Sequence, residues 1–280
     1  MSENVIVYQP STLTEVQSLL KNNQHIKVMA GGTELLRNQL ELSFKLPRYV
    51  LSLCNVKELY DITKTERYID FGAMVSLGRM IDLGEKNIGS LLYSSLKTIA
   101  SRNVRFLSTI GGNLEVTGTL KTLMPVMMTL DTRVEVKTAQ ETVWVPYLKY
   151  VGEEYRAVRE APHVITRVRM YTDAWNYSFF ERLGKKGIID DETAYFSFLV
   201  KCQKNLITDV RLCFSVQSVF RSKELENTIL GEMLPFSVKD VNTILQNTKK
   251  YFTDEKFTHK LHKLIFFNLV KKCLLDLTSQ

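Results

Sequence analysis

Residues 108–122 read STIGGNLEVTGTLKT and place two adjacent glycines between a β-branched residue and Asn113. Residues 28–36, VMAGGTELL, contain the same pair after a short apolar run. A glycine pair allows positive φ angles and lets a ligand approach the backbone with no Cβ atom in the way. Successive N–H groups at such a turn can bind an anion, and neighbouring Ser and Thr hydroxyls add neutral donors. The two segments therefore predict two walls of one pyrophosphate-binding site.

Each segment contributes specific residues to this predicted site. The first wall consists of Gly31, Gly32 and Thr33, and the second consists of Ser108, Thr109, Gly111, Gly112 and Asn113. Neither segment is a P-loop, because no Gly-Lys-Ser/Thr follows, and neither has the GxGxxG spacing of a Rossmann site. The alternative interpretation is that each glycine pair only ends a strand in a tight turn. Two such loops in one chain, each beside hydroxyl side chains, weigh against it.

The composition is that of an ordinary soluble globule. Of the 280 residues, 45% are hydrophobic and 24% are charged, which suits one or two domains with a substantial core. No apolar run approaches the ~20 residues of a membrane-spanning helix. The first ten residues, MSENVIVYQP, have no basic segment followed by an apolar stretch. The sequence therefore predicts no secretory signal, no membrane partner and a cytoplasmic location.

The formal net charge of +7 raises the question of an anionic partner. The basic residues are scattered, with short pairs at 185–186, 249–250 and 271–272. The sequence has no Arg-rich arm, zinc-finger spacing or RNA-binding motif, so we predict no nucleic-acid partner. The charge suits a solvated surface with one patch for an anionic cofactor or a partner subunit.

Cysteine and histidine spacing argues against a metal centre within the chain. The cysteines Cys54, Cys202, Cys213 and Cys273 are all more than ten residues apart, and no C-x-x-C pair exists. An iron–sulfur cluster or structural zinc is therefore not expected. His259 and His262 share a helix face but have no evident third ligand. We predict no metal site.

The secondary-structure pattern is mixed, without a regular βαβ alternation, so the predicted fold class is α+β. Thr12 and Glu15 suggest a capping box at the start of a helix. Residues 90–104 read as one helix, and residues 193–216 as a hairpin that turns at Lys204–Asn205. The tail from Ser237 reads as helical, and the composition changes near residue 172.

The ordered set of motifs resembles the FAD-binding subunit of molybdenum hydroxylases, the family of xanthine dehydrogenase and carbon monoxide dehydrogenase flavoproteins. The resemblance covers nearly the whole chain. It rests on YQPSTLTEVQSLL (8–20), VMAGGTELL (28–36), RYVLSLCNVKEL (48–59), IDFGAMVSLGRM (69–80), IASRNVRFLSTIGGNL (99–114), PVMMTLDTRVEV (125–136), FFERLGKKGIIDDETAYFSF (179–198) and SVFRSKELENTILGE (218–232).

The resemblance implies a two-lobed FAD-binding domain of the vanillyl-alcohol-oxidase/PCMH type, followed by a smaller α+β C-terminal domain with an antiparallel sheet and helices. The implied boundaries are 1–171, with subdomains of about 1–55 and 56–171, and 172–280. The implied FAD contacts are Val28, Met29, Ala30, Gly31, Gly32, Thr33, Glu34, Leu35, Ser108, Thr109, Ile110, Gly111, Gly112, Asn113, Thr117, Thr122, Ile165 and Lys185. Ile165 and Lys185 would lie near the isoalloxazine ring.

One position departs from the family pattern. The family usually has an Asp nine residues past the Gly-Gly-Asn, where it bonds the sugar-alcohol chain of the flavin, and this chain has Thr122 there. A hydroxyl can replace one hydrogen bond of a carboxylate but not its charge, and charged bonds contribute about 1.5–3 kcal/mol against ~1 for neutral ones. The departure leaves three alternatives: weak FAD binding, a rearranged loop, or a degenerate site.

The implied function is electron transfer. A molybdopterin-binding large subunit would oxidise the substrate, a 2Fe-2S small subunit would carry the electrons to FAD on this chain, and NAD+ or another acceptor would receive them. No side chain is assigned a catalytic role, and Asp190–Asp191 reads as a solvated turn. The alternatives are a flavin-less structural subunit of such a complex and a stand-alone flavin oxidoreductase.

Overall fold

The computed structural model describes residues 4–35, 46–115, 122–185, 190, 193–216, 219–251 and 260–278. The strands are β1 (Ile6–Tyr8), β2 (Lys27–Met29), β3 (Tyr49–Ser52), β4 (Ile62–Lys64), β5 (Tyr68–Gly72), β6 (Arg133–Thr138), β7 (Thr142–Pro146), β8 (His163–Tyr171), β9 (Tyr177–Leu183), β10 (Ala194–Gln203), β11 (Leu206–Ser215) and β12 (Val219–Phe220). The α-helices are α1 (Leu13–Asn22), α2 (Leu77–Asp82), α3 (Glu85–Ile88), α4 (Ser90–Lys97), α5 (Arg102–Leu107), α6 (Ile110–Leu114), α7 (Leu123–Thr129), α8 (Tyr147–Tyr150), α9 (Arg156–Glu160), α10 (Lys223–Glu226), α11 (Val238–Thr248) and α12 (Lys260–Asp276). Short 3-10 turns cover Lys57–Tyr60, Glu153–Tyr155 and Lys249–Tyr251.

The chain forms two compact units. The first contains Met1–Gly89, Ile99–Lys121 and Asp131–Thr172, and the second contains Ser90–Thr98, Thr122–Leu130 and Asp173–Gln280. The sequence assigned all of 1–171 to one domain, whereas the segments that carry α4 and α7 belong to the second unit. The functional domain boundaries stay a prediction.

The first unit contains two sheets. The smaller is parallel, with strand order β1-β3-β2, and the larger is antiparallel, with order β4-β5-β8-β6-β7. Strand β8, read from the sequence as HVITRVRMY, lies at the centre of the larger sheet and pairs with both β5 and β6. The two sheets and the helices around them give the predicted α+β class.

Helix α1 begins as expected, with one difference in its cap. The Thr12 hydroxyl accepts a hydrogen bond from the Glu15 N–H at 3.2 Å. The Glu15 carboxylate reaches one residue further back than a capping box requires and accepts from the Ser11 N–H at 2.7 Å. Val16 and Leu20 are buried on the apolar face. The cap therefore satisfies two N–H groups, although the reciprocal bond falls on Ser11.

The predicted helix over residues 90–104 is wrong because it is interrupted. Helix α4 ends at Lys97, and Ala100 adopts a positive φ of 41°. Ser101 then caps α5 by accepting a hydrogen bond from the Val104 N–H. Apolar periodicity continues across the break, so the sequence pattern alone does not reveal it.

The second unit is built on an antiparallel sheet of order β12-β11-β10-β9. The predicted hairpin is confirmed, because Lys204 and Asn205 join β10 to β11 with φ angles of 48° and 66°. Positive φ values at both residues are typical of the two-residue type I′ turn, whose twist matches that of the two strands it joins. Helix α11 begins at a full capping box between Ser237 and Asp240. Phe266 of α12 stacks on the sheet residue Phe214, with ring centroids 4.9 Å apart.

None of the helices in the described ranges combines the length and the hydropathy that a membrane-crossing segment needs.

Candidate functional site

A cavity of about 830 Å³ lies within the first unit. Its walls come from the turn and strand that lead into the first glycine loop, from α6, and from the segment that joins α9 to β8. Pro47, Leu53 and Ala73 complete the lining. The structure therefore brings the two glycine loops of the sequence to one cavity.

The first glycine loop passes close to the chain that precedes α6. A Cβ atom on Gly31 would lie 1.7 Å from the carbonyl oxygen of Leu107, so no other residue fits there without moving the backbone. Gly32 has a φ of +71°, which favours glycine. Within the described residues, the N–H groups of Gly31, Gly32 and Thr33 donate no hydrogen bond. This loop presents three adjacent donors at the cavity.

The second glycine loop has a different geometry. It forms the short helix α6, and the N–H groups of Ile110 and Gly111 donate to the carbonyls of Val75 and Ala73 at 2.9 and 3.0 Å. The Gly112 N–H donates to the Thr109 hydroxyl at 3.1 Å. The anion nest that the sequence predicted here is therefore not formed, because its donors are already bonded within the chain.

The glycines of α6 have a packing role instead. A Cβ atom on Gly111 would lie 2.6 Å from the Cβ atom of Ala73, so glycine is needed for α6 to contact the β5–α2 connection. A Cβ atom on Gly112 would meet the Thr109 hydroxyl at 3.0 Å. Gly112 lines the cavity, and its missing side chain leaves room there.

Side chains supply the polar groups of the second wall. The Thr33 and Ser108 hydroxyls lie 3.1 Å apart and join the two loops. Asn113 lines the cavity, and its buried Oδ1 atom has no hydrogen-bond partner among the described residues. A buried acceptor without a partner is uncommon in native proteins and suits a ligand with donor groups.

The structure brings most of the predicted FAD contacts to the cavity. Those that line it are Val28, Met29, Ala30, Gly31, Gly32, Thr33, Glu34, Leu35, Ser108, Thr109, Gly111, Gly112, Asn113 and Ile165. Ile110 is fully buried and is not among the lining residues. Thr117 lies outside the described residues, and Thr122 and Lys185 belong to the second unit. The binding roles of all these residues stay predictions.

The cavity lining also contains ionisable residues that the sequence analysis did not assign to the site: His25, Lys27, Glu115, Arg159, Glu160 and His163. Glu115 and His163 lie close together. The Tyr150 hydroxyl donates to the Glu115 carboxylate at 2.9 Å and lies 2.8 Å from Nε2 of His163. The same His163 nitrogen is 3.3 Å from the Glu115 carboxylate. These contacts join residues that are distant in the chain. The sequence therefore shows which residue types are present but not that they lie together.

The surroundings shift the pKa of two members of this cluster. Burial disfavours the charged form of His163, but Glu115 and the Ala161 carbonyl favour it more strongly, so the pKa of His163 is raised. Burial, together with the nearby Glu115 carboxylate, raises the pKa of Tyr150. Tyr150 is therefore a neutral hydroxyl at physiological pH, and His163 can hold a positive charge.

Arg159 provides a fixed cation beside this cluster. Its guanidinium donates to the carbonyls of Tyr150 and Gly152, and it lies over the Tyr150 ring at 5.9 Å from the ring centroid. Cations bound in this way are held in one orientation. The cavity thus combines open backbone donors, hydroxyls and a positive side chain, which fits a dinucleotide carrying phosphates and sugar hydroxyls.

Comparison with known proteins identifies the class. The sequence profile of the family described as "FAD binding domain in molybdopterin dehydrogenase" matches residues 2–170. The chain belongs to this family. Its cofactor is FAD, and its relatives include FAD-binding and medium subunits of dehydrogenases.

Individual relatives agree with this membership. The chain is 23% identical over 264 residues to xanthine dehydrogenase from Emericella nidulans, covering 90% of this chain but only 18% of that enzyme. It is 27% identical over 186 residues to the nicotinate dehydrogenase FAD-subunit of Eubacterium barkeri, covering 64% of this chain and 62% of that subunit. The chain therefore spans about a fifth of the xanthine dehydrogenase that it matches.

A solved structure confirms the predicted fold. A chain of carbon monoxide dehydrogenase from Hydrogenophaga pseudoflava superposes with a TM-score of 0.80 at 18% identity, covering 99% of this chain and 98% of that one. The α+β fold, with a PCMH-type FAD-binding domain followed by a C-terminal α+β domain, is therefore confirmed.

Proposed function

We propose that this chain is the electron-transfer subunit of a molybdenum hydroxylase complex and that it binds FAD in the cavity between its two glycine loops. The observation that supports this most directly is that the N–H groups of Gly31, Gly32 and Thr33 donate no hydrogen bond among the described residues and belong to a loop that lines one cavity with Asn113. A pyrophosphate needs several donors at close range, and this loop supplies them.

The placement of FAD follows from the chemistry of the walls. Residues 28–35 bind the pyrophosphate and the sugar-alcohol chain, and Ser108 and Asn113 bind them from the opposite wall. Ile165 lies on β8 beside the ring system, and Lys185 is assigned near the ring from the family resemblance. Thr117 and Thr122 complete the proposed set.

Bound FAD supplies the redox chemistry, since a flavin can accept and pass on electrons singly or in pairs. The protein binds the cofactor, sets its orientation and adjusts its potential. None of the proposed contacts acts as an acid or base on a substrate.

The proposed partners follow from the same division of labour. The relative from Eubacterium barkeri is described as a FAD-subunit, which implies further subunits in that enzyme. We propose a molybdopterin-binding large subunit and a 2Fe-2S small subunit as partners of this chain, with NAD+ or another compound as the electron acceptor. Residues 1–171 form the proposed FAD-binding domain, and residues 172–280 form the C-terminal flavoprotein domain.

The first experiment is to purify the chain, record its visible absorption spectrum and identify any released cofactor by mass. We expect a flavin spectrum and released FAD. Reconstitution of the stripped protein with FMN is the matched control, because FMN lacks the pyrophosphate and the adenosine. Equal affinity for FMN and FAD would contradict the assignment of the glycine loop.

Electron transfer is tested on the FAD-loaded chain in the absence of oxygen. Bleaching of the flavin by NADH, which reverses the physiological step, would support NAD+ as the acceptor. No bleaching by NADH, with normal reduction by dithionite, would indicate another acceptor.

The second candidate is a flavin-less structural subunit, and the observation behind it is Thr122. This residue is uncharged and buried where the family usually has an Asp. A chain that stays colourless with excess FAD, both alone and with its co-expressed partner subunits, would favour this candidate.

A further inference from the structure

Three residues beside the second glycine loop form a hydrogen-bonded triad. Glu115 directly follows α6, which carries Gly111, Gly112 and Asn113. Tyr150 is the last residue of α8, and His163 is the first residue of β8. The triad therefore connects the end of α6 to β8, the strand that carries Ile165.

The number of hydrogens in this triad depends on His163. Nδ1 of His163 lies 2.8 Å from the Ala161 carbonyl, which can only accept, so Nδ1 carries a hydrogen. In a neutral ring, Nε2 is then an acceptor. Nε2 and the Glu115 carboxylate would both need the single hydroxyl hydrogen of Tyr150. One of the two bonds would be left unmade, at a cost for a buried group.

One more proton satisfies every member. When Nε2 is protonated it donates into the triad, and Tyr150 is free to donate to Glu115 at 2.9 Å. The extra proton also cancels the charge of the Glu115 carboxylate, which lines the cavity proposed for the phosphates of FAD. Without that proton the triad carries a net negative charge beside an anionic ligand.

The other groups that face the His163 ring do not replace this proton. Tyr147 and Tyr150 of α8 are neutral hydroxyls. The Arg159 guanidinium of α9 is a fixed positive charge, so its effect on the ligand is the same with or without the His163 proton. On β6, Thr138 is the partner opposite His163 and carries no charge. Glu115 is therefore the one carboxylate in contact with the ring among the described residues.

We propose that Glu115, Tyr150 and His163 form a proton-dependent clamp on the FAD site: FAD binds tightly while His163 is protonated and more weakly once that proton is lost. The proposal rests on the proposed function, because it assumes that FAD occupies this cavity. The raised pKa of His163 agrees with the proposal, since the protonated ring is then retained towards neutral pH.

The direction of the pH dependence follows from linkage. FAD favours the protonated triad, so binding takes up a proton over the range between the pKa values of the free and the loaded protein. The association constant falls as pH rises, by at most about tenfold per pH unit for one proton. Below that range the affinity is constant.

The test is a fluorescence titration of the full chain with FAD, from about pH 6 to about pH 9, which spans a histidine pKa raised above its usual ~6.5. Three variants accompany the wild type. In Glu115→Gln the amide donates to the neutral ring and brings no charge, so we expect tight binding without pH dependence. In His163→Gln the Glu115 carboxylate has no protonated ring beside it at any pH, so we expect binding weaker than that of the wild type at low pH and without pH dependence. The double variant should recover the affinity of Glu115→Gln.

The matched control is Glu153→Gln, because Glu153 is an exposed carboxylate of the same unit that does not line the cavity. This variant should keep the wild-type slope. The inference is overturned if Glu115→Gln and His163→Gln keep the wild-type slope, or if Glu153→Gln removes it. A wild-type chain that binds no FAD at any pH contradicts the proposed function itself, whereas FAD binding with a flat pH profile contradicts only the clamp.

Discussion

The hydroxyl oxygens of Thr33 and Ser108 lie 3.1 Å apart, although the two residues are separated by 75 positions in the chain. This hydrogen bond joins the first glycine loop to the residue that precedes the cap of α6. Both residues line the cavity. The bond therefore holds the two proposed walls of the FAD site at a fixed separation.

Removal of this bond is expected to weaken FAD binding modestly. Thr33→Val or Ser108→Ala should each cost about 0.5–1.5 kcal/mol, because one partly buried hydrogen bond is lost, and should lower FAD affinity by up to about tenfold. Isothermal titration of both single variants and the double variant with FAD gives the coupling free energy between the two hydroxyls. Thr208→Val, at an exposed hydroxyl in the second unit, serves as the control. Strictly additive losses would show that the two hydroxyls do not act together.

Substitution of the two glycines in the first loop should give unequal losses of stability. Gly31→Ala places a Cβ atom 1.7 Å from a backbone oxygen, so the loops must separate, at a cost of about 3 kcal/mol. Gly32→Ala meets only the Met29 sulfur at 3.9 Å, and its positive φ costs about 1 kcal/mol. Urea unfolding measures both. The opposite order of effects would contradict the close contact at Gly31.

Gly112→Val should remove FAD binding without unfolding the protein. The new side chain enters the cavity beside the Thr109 hydroxyl, where the structure leaves room for a ligand. We expect FAD affinity to fall by about a hundredfold or more, which corresponds to ~2.7 kcal/mol. Circular dichroism checks the fold. The control is Gly84→Ala, at a positive φ outside the cavity with nothing within 4 Å of the new Cβ. Wild-type flavin content in Gly112→Val would exclude this face of α6 as a cofactor wall.

Arg169 should matter for stability and not for the cofactor. Its guanidinium makes two 2.7 Å bonds to the buried carboxylate of Asp70 and lies 3.8 Å from the Tyr68 ring centroid. Arg169→Met leaves that carboxylate without its cation, and the free energy of unfolding should fall by about 3–5 kcal/mol. Urea unfolding and FAD titration measure the two properties separately.

Two further variants test the reason for this loss. Adding Asp70→Asn to Arg169→Met should recover part of the stability, because the unpaired charge is removed. Arg156→Met breaks an exposed pair with Glu160 and should change stability little, since solvent screens such pairs. A loss in Arg156→Met as large as that in Arg169→Met would show that burial is not the cause.

Local features of the fold were readable from the sequence. The turn at Lys204–Asn205, strand β8 and the helix that begins after Ser237 all formed where the residue pattern placed them. Each depends on residues within a few positions of one another. The predicted helix over 90–104 failed because Ala100 adopts a positive φ, which apolar periodicity does not report.

The sequence alone determined that two glycine loops with adjoining hydroxyls exist, and their order and spacing identified the family. Tertiary structure decided which loop keeps donors without a partner among the described residues. The N–H groups of Ile110 and Gly111 in α6 donate to the carbonyls of Val75 and Ala73, whereas those of Gly31 and Gly32 donate no bond within the described chain. It also brought Glu115 to Tyr150, 35 residues away, and to His163. Such contacts depend on how distant segments pair, and no short stretch of sequence specifies that pairing.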